Sequence, residues 1–390
     1  MLPATNVDAT GIVQWAARRE AQGDLPKVVR RLVFGTLENV KRCEFRSGEG
    51  VQLGGWDGLT DVERGNTFVP DGISGWEMGT SQDIGTKANQ DYENRRNDPC
   101  GLDPKLATFV FITPRRWKKK AEWVQEKGAE GVWREVRAYD ADDLETWLEN
   151  APAVSNWFSV LLGLRPRGTI DLGSWWTDWA TMTRPAVAPE LVLAGRKSVR
   201  DKIHEWSRER ASSLSLQAES RDEALAVFAA SVIQLPDPEQ EVLLSRSVVV
   251  NDEAALRQIA TSPQSLILVP TFDDAQAIAY ATRQGHRFVV GLGRSAGEVS
   301  RVLQIPRIAF KEAEDALVGA GVSKDEASRL ATLARRSFVI LRRKLAQIGA
   351  VEKPHFGARS KPDAETAVRN CRSSVTCTGD FLSVWPTRSQ

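Results

Sequence analysis

The stretch TFVPDGISGWEMG, residues 67–79, predicts a β-strand with two different faces. Trp76 and Met78 point to one side of this strand, whereas Glu77 points to the other side between two glycines. The large apolar side chains predict a face that packs into a core. Glycines beside an acidic residue leave space for a bulky phosphate backbone, so the second face is the candidate for function.

Helical and strand-like patterns alternate on both sides of this strand. In chain order the neighbouring segments are a helix at 11–33, either broken at Gly23 and Pro26 or divided in two, a strand at 40–45, a glycine-rich turn at 50–58, a helix at 83–96 with Asp83 as N-cap, a strand at 108–113, a helix near 116–127, a strand at 134–139 and a helix at 142–148. The alternation predicts an α/β domain over residues 1–163.

The rest of the chain predicts a second α/β domain. Residues 164–189 are rich in proline and glycine and contain the pair Trp175-Trp176, which indicates a connector. In residues 190–350, helices separate the strand-like runs SLSLQA, SVVV, SLILVP and RFVVGL, and such short apolar runs are typical of a buried, mostly parallel sheet. Residues 351–390 end in a serine- and threonine-rich stretch without periodicity and predict an irregular tail.

The composition is that of folded soluble domains. Of 390 residues, 42% are hydrophobic and 26% are charged, which excludes a disordered chain, a collagen-like chain and a small disulfide scaffold. The 52 basic and 51 acidic residues leave a net charge of +1, so a local basic patch must hold any anionic partner. Tryptophan is abundant, with 13 residues, most of them before residue 180.

The sequence also predicts the cellular location of the protein. Its N-terminus lacks the basic start and apolar core of a secretory signal, and it has no run of about 18 apolar residues. The four cysteines and three histidines lack the spacing of a zinc site or a disulfide framework. We therefore expect a cytoplasmic protein without a membrane partner.

Three ionisable residues form a pattern that is typical of a metal-dependent catalytic site. Asp57 lies in the turn GGWDG, Glu77 on the next strand and Lys87 in the following helix. Two carboxylates from adjacent strands can hold Mg²⁺, or Mn²⁺ in its place, and leave its other positions for water and a substrate phosphate. A nearby lysine can neutralise the charge that develops at the phosphate.

The order of these residues resembles the restriction-endonuclease-like PD-(D/E)xK nuclease superfamily, in particular its Mrr-like branch, in which a G-x-D-G turn precedes the acidic strand. The resemblance covers roughly residues 10–150 and implies a central mixed sheet flanked by helices, with Asp57 and Glu77 as metal ligands. The family lysine usually stands two residues after the strand acid, where this chain has Gly79. The resemblance therefore implies that the catalytic lysine has migrated to the following helix, as Lys87.

The same residues also have a purely structural interpretation. Asp57 would then be an ordinary turn residue, Glu77 an exposed strand residue, and Lys87 a surface lysine paired with Asp83 or Asp91.

A basic run follows the strand at 108–113. Its five charges surround Trp117 and suit contacts with a DNA backbone; they are Arg115, Arg116, Lys118, Lys119 and Lys120. The alternative is a solvated first helical turn with Trp117 packed inward.

The second half resembles another known group. Ala194-Gly195-Arg196, followed by a helix and a strand, resembles the opening of a STAND-type NTPase module, in which a Gly-Arg motif precedes a phosphate-binding loop. The corresponding loop here, AESRDEA at 218–224, lacks the glycines and the Lys-Ser/Thr pair that hold phosphate and magnesium. Asp273-Asp274 could mimic a Walker B acid or cap the next helix. The resemblance therefore implies a degenerate, non-hydrolysing P-loop-like regulatory domain.

These observations predict a magnesium-dependent DNA endonuclease joined to a regulatory module. The pairing implies an effector of bacterial anti-phage defence that acts as a homo-oligomer or with a partner protein of the defence system. The alternative is a catalytically inactive DNA-binding or protein-interaction adaptor that retains the nuclease fold.

Overall fold

Two β-sheets, each flanked by helices, make up the described part of the chain. The structure, a computed structural model, describes residues 7–46, 54–209, 213–294 and 302–351. The α/β class predicted from the alternating pattern is confirmed. The predicted tail lies outside the described residues beyond Val351.

The first sheet has five strands in a mixed arrangement. The elements of this half are α1 (Ala9–Trp15), α2 (Ala21–Thr36), β1 (Val40–Phe45), β2 (Gly58–Val62), β3 (Gly72–Met78), α3 (Ile84–Asn97), β4 (Thr108–Ile112), α4 (Lys120–Ala129), β5 (Glu135–Tyr139), α5 (Ala141–Glu149) and α6 (Pro152–Leu161). The strands lie in the order β1-β2-β3-β4-β5; β2 is antiparallel to both β1 and β3, and β4 is parallel to both β3 and β5.

The first sheet has a core on each face because successive strand side chains point to opposite sides. Trp76 of β3 packs with Val110 and Ile112 of β4 on the face covered by α1, α2 and α5. Phe109 and Phe111 of β4 pack on the other face, together with aromatic side chains of α3 and α4. Glu77 follows Trp76 in the chain, so the alternation directs it to this second face, as predicted.

The second sheet has six strands, five of which run parallel. The elements of this half are β6 (Thr169–Asp171), α7 (Leu172–Thr181), α8 (Pro189–Val192), α9 (Lys197–Arg208), β7 (Ser213–Gln217), α10 (Arg221–Ile233), α11 (Glu239–Leu244), β8 (Ser247–Val250), α12 (Glu253–Ile259), β9 (Ile267–Pro270), α13 (Ala275–Arg283), β10 (Arg287–Leu292), β11 (Val302–Gln304), α14 (Phe310–Gly319), α15 (Lys324–Arg336) and α16 (Phe338–Val351). The order is β11-β7-β10-β9-β8-β6, and the edge strand β6 is antiparallel to β8.

The structure differs from the sequence prediction around β2 and β3. Strand β2 was not predicted, because its buried Thr60 looks polar in the sequence; in the fold the Thr60 hydroxyl accepts a hydrogen bond from Trp76 Nε1 at 2.9 Å. The strand predicted at 67–79 begins later, at Gly72. Before it, the Asn66 side chain accepts hydrogen bonds from the next backbone N–H groups and forms a turn.

Part of the predicted connector at 164–189 is regular structure. Strand β6 pairs with β8, and α7 begins at an N-cap, Asp171. Trp176 and Trp179 of α7 are buried in the core of the second sheet. The tryptophans of this segment therefore pack inside the second half.

The two halves meet along α2 and α6. Arg31 of α2 forms an ion pair with Glu241 of α11 at 2.8 Å, and both side chains are largely buried. Arg246 donates a hydrogen bond to the Phe34 carbonyl near the end of α2 at 2.9 Å. Ala153 of α6 is buried in the same core as β8.

Candidate active site

Asp57 and Glu77 are brought together by the pairing of β2 with β3. Gly58 lies opposite Trp76 in the antiparallel register, so the next residues outward, Asp57 and Glu77, become neighbours. Asp57 Oδ2 also accepts a hydrogen bond from the Met78 backbone N–H at 2.8 Å. Glu77 is 3% exposed, which excludes the interpretation that it is an exposed strand residue.

Lys87 reaches the same place from α3. A Cβ atom on Gly79 would lie 2.9 Å from Lys87 Cγ, so the lysine side chain passes directly over Gly79. Its Nζ donates a hydrogen bond to Asp91 Oδ1 at 2.6 Å, and the side chain remains 37% exposed. The lysine side chain therefore occupies the space above Gly79, beside the Asp57–Glu77 pair.

Arg95 is a site residue that the sequence reasoning missed. Its Nε donates to Glu77 Oε1, and its Nη2 donates to the Gly55 carbonyl at 2.6 Å. The signal that could have found it is helical spacing, because Lys87, Asp91 and Arg95 follow one another at intervals of four residues on one face of α3.

The site concentrates acidic side chains away from water. Burial raises the pKa of Glu77 to about 8, with the charge of Asp57 as the second cause and Arg95 opposing both. Burial likewise raises the pKa of Asp57 and of Asp91. Asp91 Oδ2 is buried and has no hydrogen-bond partner in the described structure. Lys87 and Arg95 are the cations that offset these three acids.

The residues present meet only the minimum requirement for magnesium. Mg²⁺ uses one or two protein carboxylates, and Asp57 with Glu77 supplies two. Among the described residues, no group of three or more His, Cys, Asp or Glu side chains is placed to hold a metal ion. Glu77 is also already bonded to Arg95, so a metal would have to share or replace that contact.

Protein side chains fill the space beside two glycines near the site. The ring of Phe45 lies against Gly58, and the ring of Trp56 lies against Gly75. The expectation that these glycines admit a phosphate backbone is therefore wrong at both positions. Gly54 differs, because a Cβ atom there would meet nothing within 4 Å.

The basic run at 115–120 is divided between structural and exposed residues. Arg115 donates hydrogen bonds to the Thr80 carbonyl at 2.5 Å and to the Ala16 carbonyl at 3.3 Å. Arg116 forms an ion pair with Asp142 at 3.0 Å. Lys120 forms ion pairs with Asp140, at 2.8 Å, and with Asp143. Lys118 and Lys119 are exposed, and Trp117 is buried. Arg115 and Lys120 hold the fold together, which leaves Lys118 and Lys119 as the residues best placed for a phosphate contact.

In the second half, two carboxylates follow strand β7, Glu219 in the loop and Glu223 in the first turn of α10. Glu219, after β7, accepts hydrogen bonds from Ser337 Oγ at 2.6 Å and from the Phe338 N–H at 3.1 Å. Glu223 pairs with Arg196, and both are nearly fully buried. The Gly-Arg motif therefore supplies a structural cation in this chain.

Two other polar features of the second sheet are structural. Asp274 caps α13, accepting hydrogen bonds from two backbone N–H groups at 2.9 Å, so the capping interpretation is confirmed. His286 is buried; its Nδ1 accepts from the Leu266 N–H at 3.2 Å, and its Nε2 lies 3.0 Å from the Ala260 carbonyl. Burial lowers the pKa of His286.

No protein-family model matches the chain, and a comparison with curated proteins finds no match either. None of the helices in the described residues has the length and hydrophobicity needed to span a bilayer.

Proposed function

We propose that the first sheet carries a magnesium-dependent endonuclease site that hydrolyses phosphodiester bonds in DNA. The observation that carries this proposal is the position of Lys87 over Gly79, beside the Asp57–Glu77 pair. A turn, a strand and a helix bring together the three residue types that the nuclease resemblance requires. The mixed sheet, with its helical crossover between β3 and β4, supports the same proposal.

Each residue has a distinct role in this proposal. Asp57 and Glu77 would hold magnesium, which supplies Lewis-acid polarisation of the scissile phosphate when bound. Lys87 neutralises charge at the phosphate, and its partial exposure allows Nζ to move from Asp91 to a phosphate oxygen. Asp91 is a positioning residue, because it holds the ammonium group beside the carboxylate pair.

A plasmid-nicking assay with the full chain, with and without Mg²⁺, tests the proposal. We expect magnesium-dependent nicking that Asp57→Ala and Glu77→Ala each abolish. Asp61→Ala is the matched control, since Asp61 lies on β2 four residues beyond Asp57 and on the same face. Nicking that survives both site substitutions would contradict the proposal.

DNA contact by the basic run has a separate test. We expect charge reversal at Lys118 and Lys119 to reduce the salt dependence of DNA binding, because each lost phosphate contact removes about 0.9 from the logarithmic slope. An unchanged slope would place the DNA-binding surface elsewhere.

The second candidate function is a catalytically inactive DNA-binding adaptor. The bond between Arg95 and Glu77 favours it, because this bond occupies one of the two carboxylates needed for metal. DNA binding in a titration, without nicking at any Mg²⁺ or Mn²⁺ concentration, would favour the adaptor over the nuclease.

We also propose that the second sheet is a degenerate, non-hydrolysing P-loop-like regulatory module. The carboxylate of Glu219 supports this, because its charge disfavours a phosphate in the loop after β7. Magnesium-dependent ATP turnover by the full chain would contradict it. The role in anti-phage defence is inferred from the resemblances alone.

A further inference from the structure

We propose that the guanidinium of Arg95 occupies the cation position at Glu77 and competes with a divalent metal for that carboxylate. The inference rests on the proposed function for the assignment of Asp57 and Glu77 as ligands. The competition itself is a property of Arg95 and Glu77 and can be measured without DNA.

Hydrogen bonds and an aromatic ring hold the guanidinium group of Arg95 in place at the site. Nε donates to Glu77, Nη2 to the Gly55 carbonyl at 2.6 Å, and Nη1 to Cys100 Sγ at 3.1 Å. The guanidinium carbon lies 5.2 Å from the centre of the Trp56 ring. Every guanidinium nitrogen thus has an acceptor, and the planar group is fixed on one side by an aromatic ring.

The charges around Arg95 explain why it is held there. Glu77 and Asp91 are 3% and 5% exposed, and half-buried Asp57 adjoins them. Buried carboxylates require a compensating cation, because unpaired charge is costly away from water. Lys87 is bonded to Asp91, which leaves Arg95 as the cation bonded to Glu77.

A divalent metal and Arg95 cannot share Glu77 at low cost. Both need lone pairs of the same carboxylate, and a guanidinium beside a divalent ion is repelled by it in a poorly solvated site. The position of Arg95 therefore lowers the affinity of the carboxylate pair for metal. Removal of the positive charge at residue 95 should raise that affinity.

Binding of Mn²⁺ to the full chain, followed by electron paramagnetic resonance, tests the inference. We expect Arg95→Gln and Arg95→Ala to bind Mn²⁺ roughly 10-fold or more tightly than the wild type, the size of effect typical of residues that adjoin metal ligands. Arg96→Ala is the matched control, since Arg96 faces the exposed acids Glu93 and Glu130 and should leave the affinity unchanged.

Adding Glu77→Gln to Arg95→Gln should remove the gain in affinity, which would locate the metal at this carboxylate. Arg95→Gln retains a donor for the Gly55 carbonyl, and tryptophan fluorescence checks that each variant is folded. Folded Arg95 variants that bind Mn²⁺ no more tightly than the wild type would overturn the inference.

The nicking assay separates this inference from the proposed function. If Arg95→Gln gains Mn²⁺ affinity but neither it nor the wild type cuts DNA, the inference stands and the nuclease proposal fails. If the wild type cuts DNA with Mg²⁺ and Arg95→Gln gains no Mn²⁺ affinity, the nuclease proposal stands and the inference fails.

Discussion

Replacing Gly75 with alanine should destabilise the first sheet, because the space beside this glycine holds the ring of Trp56. A Cβ atom at residue 75 would lie 2.6 Å from Cζ3 and 2.7 Å from Cε3 of that ring. Trp56 is 4% exposed, and its Nε1 donates to the Pro99 carbonyl at 3.0 Å, so the ring cannot retreat without losing this bond.

The magnitude follows from these contacts. Overpacking of a buried site costs about 1–3 kcal/mol, and loss of the Trp56 hydrogen bond adds about 1 kcal/mol. The lower backbone entropy of alanine in the unfolded chain offsets roughly 0.5 kcal/mol of this. We therefore expect Gly75→Ala to lower the free energy of unfolding by about 1.5–3.5 kcal/mol.

Gly85→Ala is the matched control. Gly85 lies in α3, and a Cβ atom there would meet nothing within 4 Å. The same chemical change should stabilise the protein by about 0.5–1 kcal/mol, because alanine is the better helix former. The two substitutions should thus shift the urea midpoint, followed by tryptophan fluorescence, in opposite directions at an unchanged m-value.

Two results would refute this reasoning. Stability of Gly75→Ala within about 0.5 kcal/mol of the wild type would show that the ring moves freely, since such a difference is ordinary for surface substitutions. Unchanged stability together with loss of DNA cleavage would show that the space beside Gly75 belongs to a substrate.

Three further predictions concern charged and titratable side chains. Burial lowers the pKa of His286 below its unfolded value of 6.5, so stability should fall as the pH drops below about 6.5. Urea unfolding of His286→Gln at pH 7.5 and 5.5 should show a smaller loss than that of the wild type. Lys120→Ala should lower the free energy of unfolding, measured by urea titration, by about 1–3 kcal/mol, because it leaves buried Asp140 without its cation, yet leave the salt dependence of DNA binding unchanged. Arg196→Met should cost about 3–5 kcal/mol by calorimetry or urea unfolding, and adding Glu223→Leu should recover part of that loss.

Local patterns predicted much of the first sheet. The alternation along β3 correctly predicted that Trp76 and Glu77 point to opposite faces of the sheet, and Asp83 caps α3 as predicted. Both features could be predicted because each depends on a few consecutive residues. The same holds for the apolar strand β4. The features that the sequence did not predict depend on contacts between distant segments.

Arg95 and the glycines show why the site was predicted only in part. The carboxylate that binds Arg95 lies on another element, and the pairing exists only because the packing of α3 against β4 brings Arg95 to Glu77. In the sequence, the missing side chains of Gly58 and Gly75 suggest open space for a ligand, whereas in the fold aromatic rings from other segments fill that space. In the basic run, Lys120 is likewise not available to DNA, because it forms ion pairs with two acids at the start of α5.

The junction between the halves has an evolutionary consequence. Arg31 of α2 and Glu241 of α11 bury their charges against each other, and Ala153 of α6 is buried in a core of the second sheet. A gene fusion that exchanged either half would leave a buried charge without its counterion and an apolar helix face without its partner. We therefore expect recombination at residue 163 to yield stable hybrids only between chains that share the α2–α11 contact.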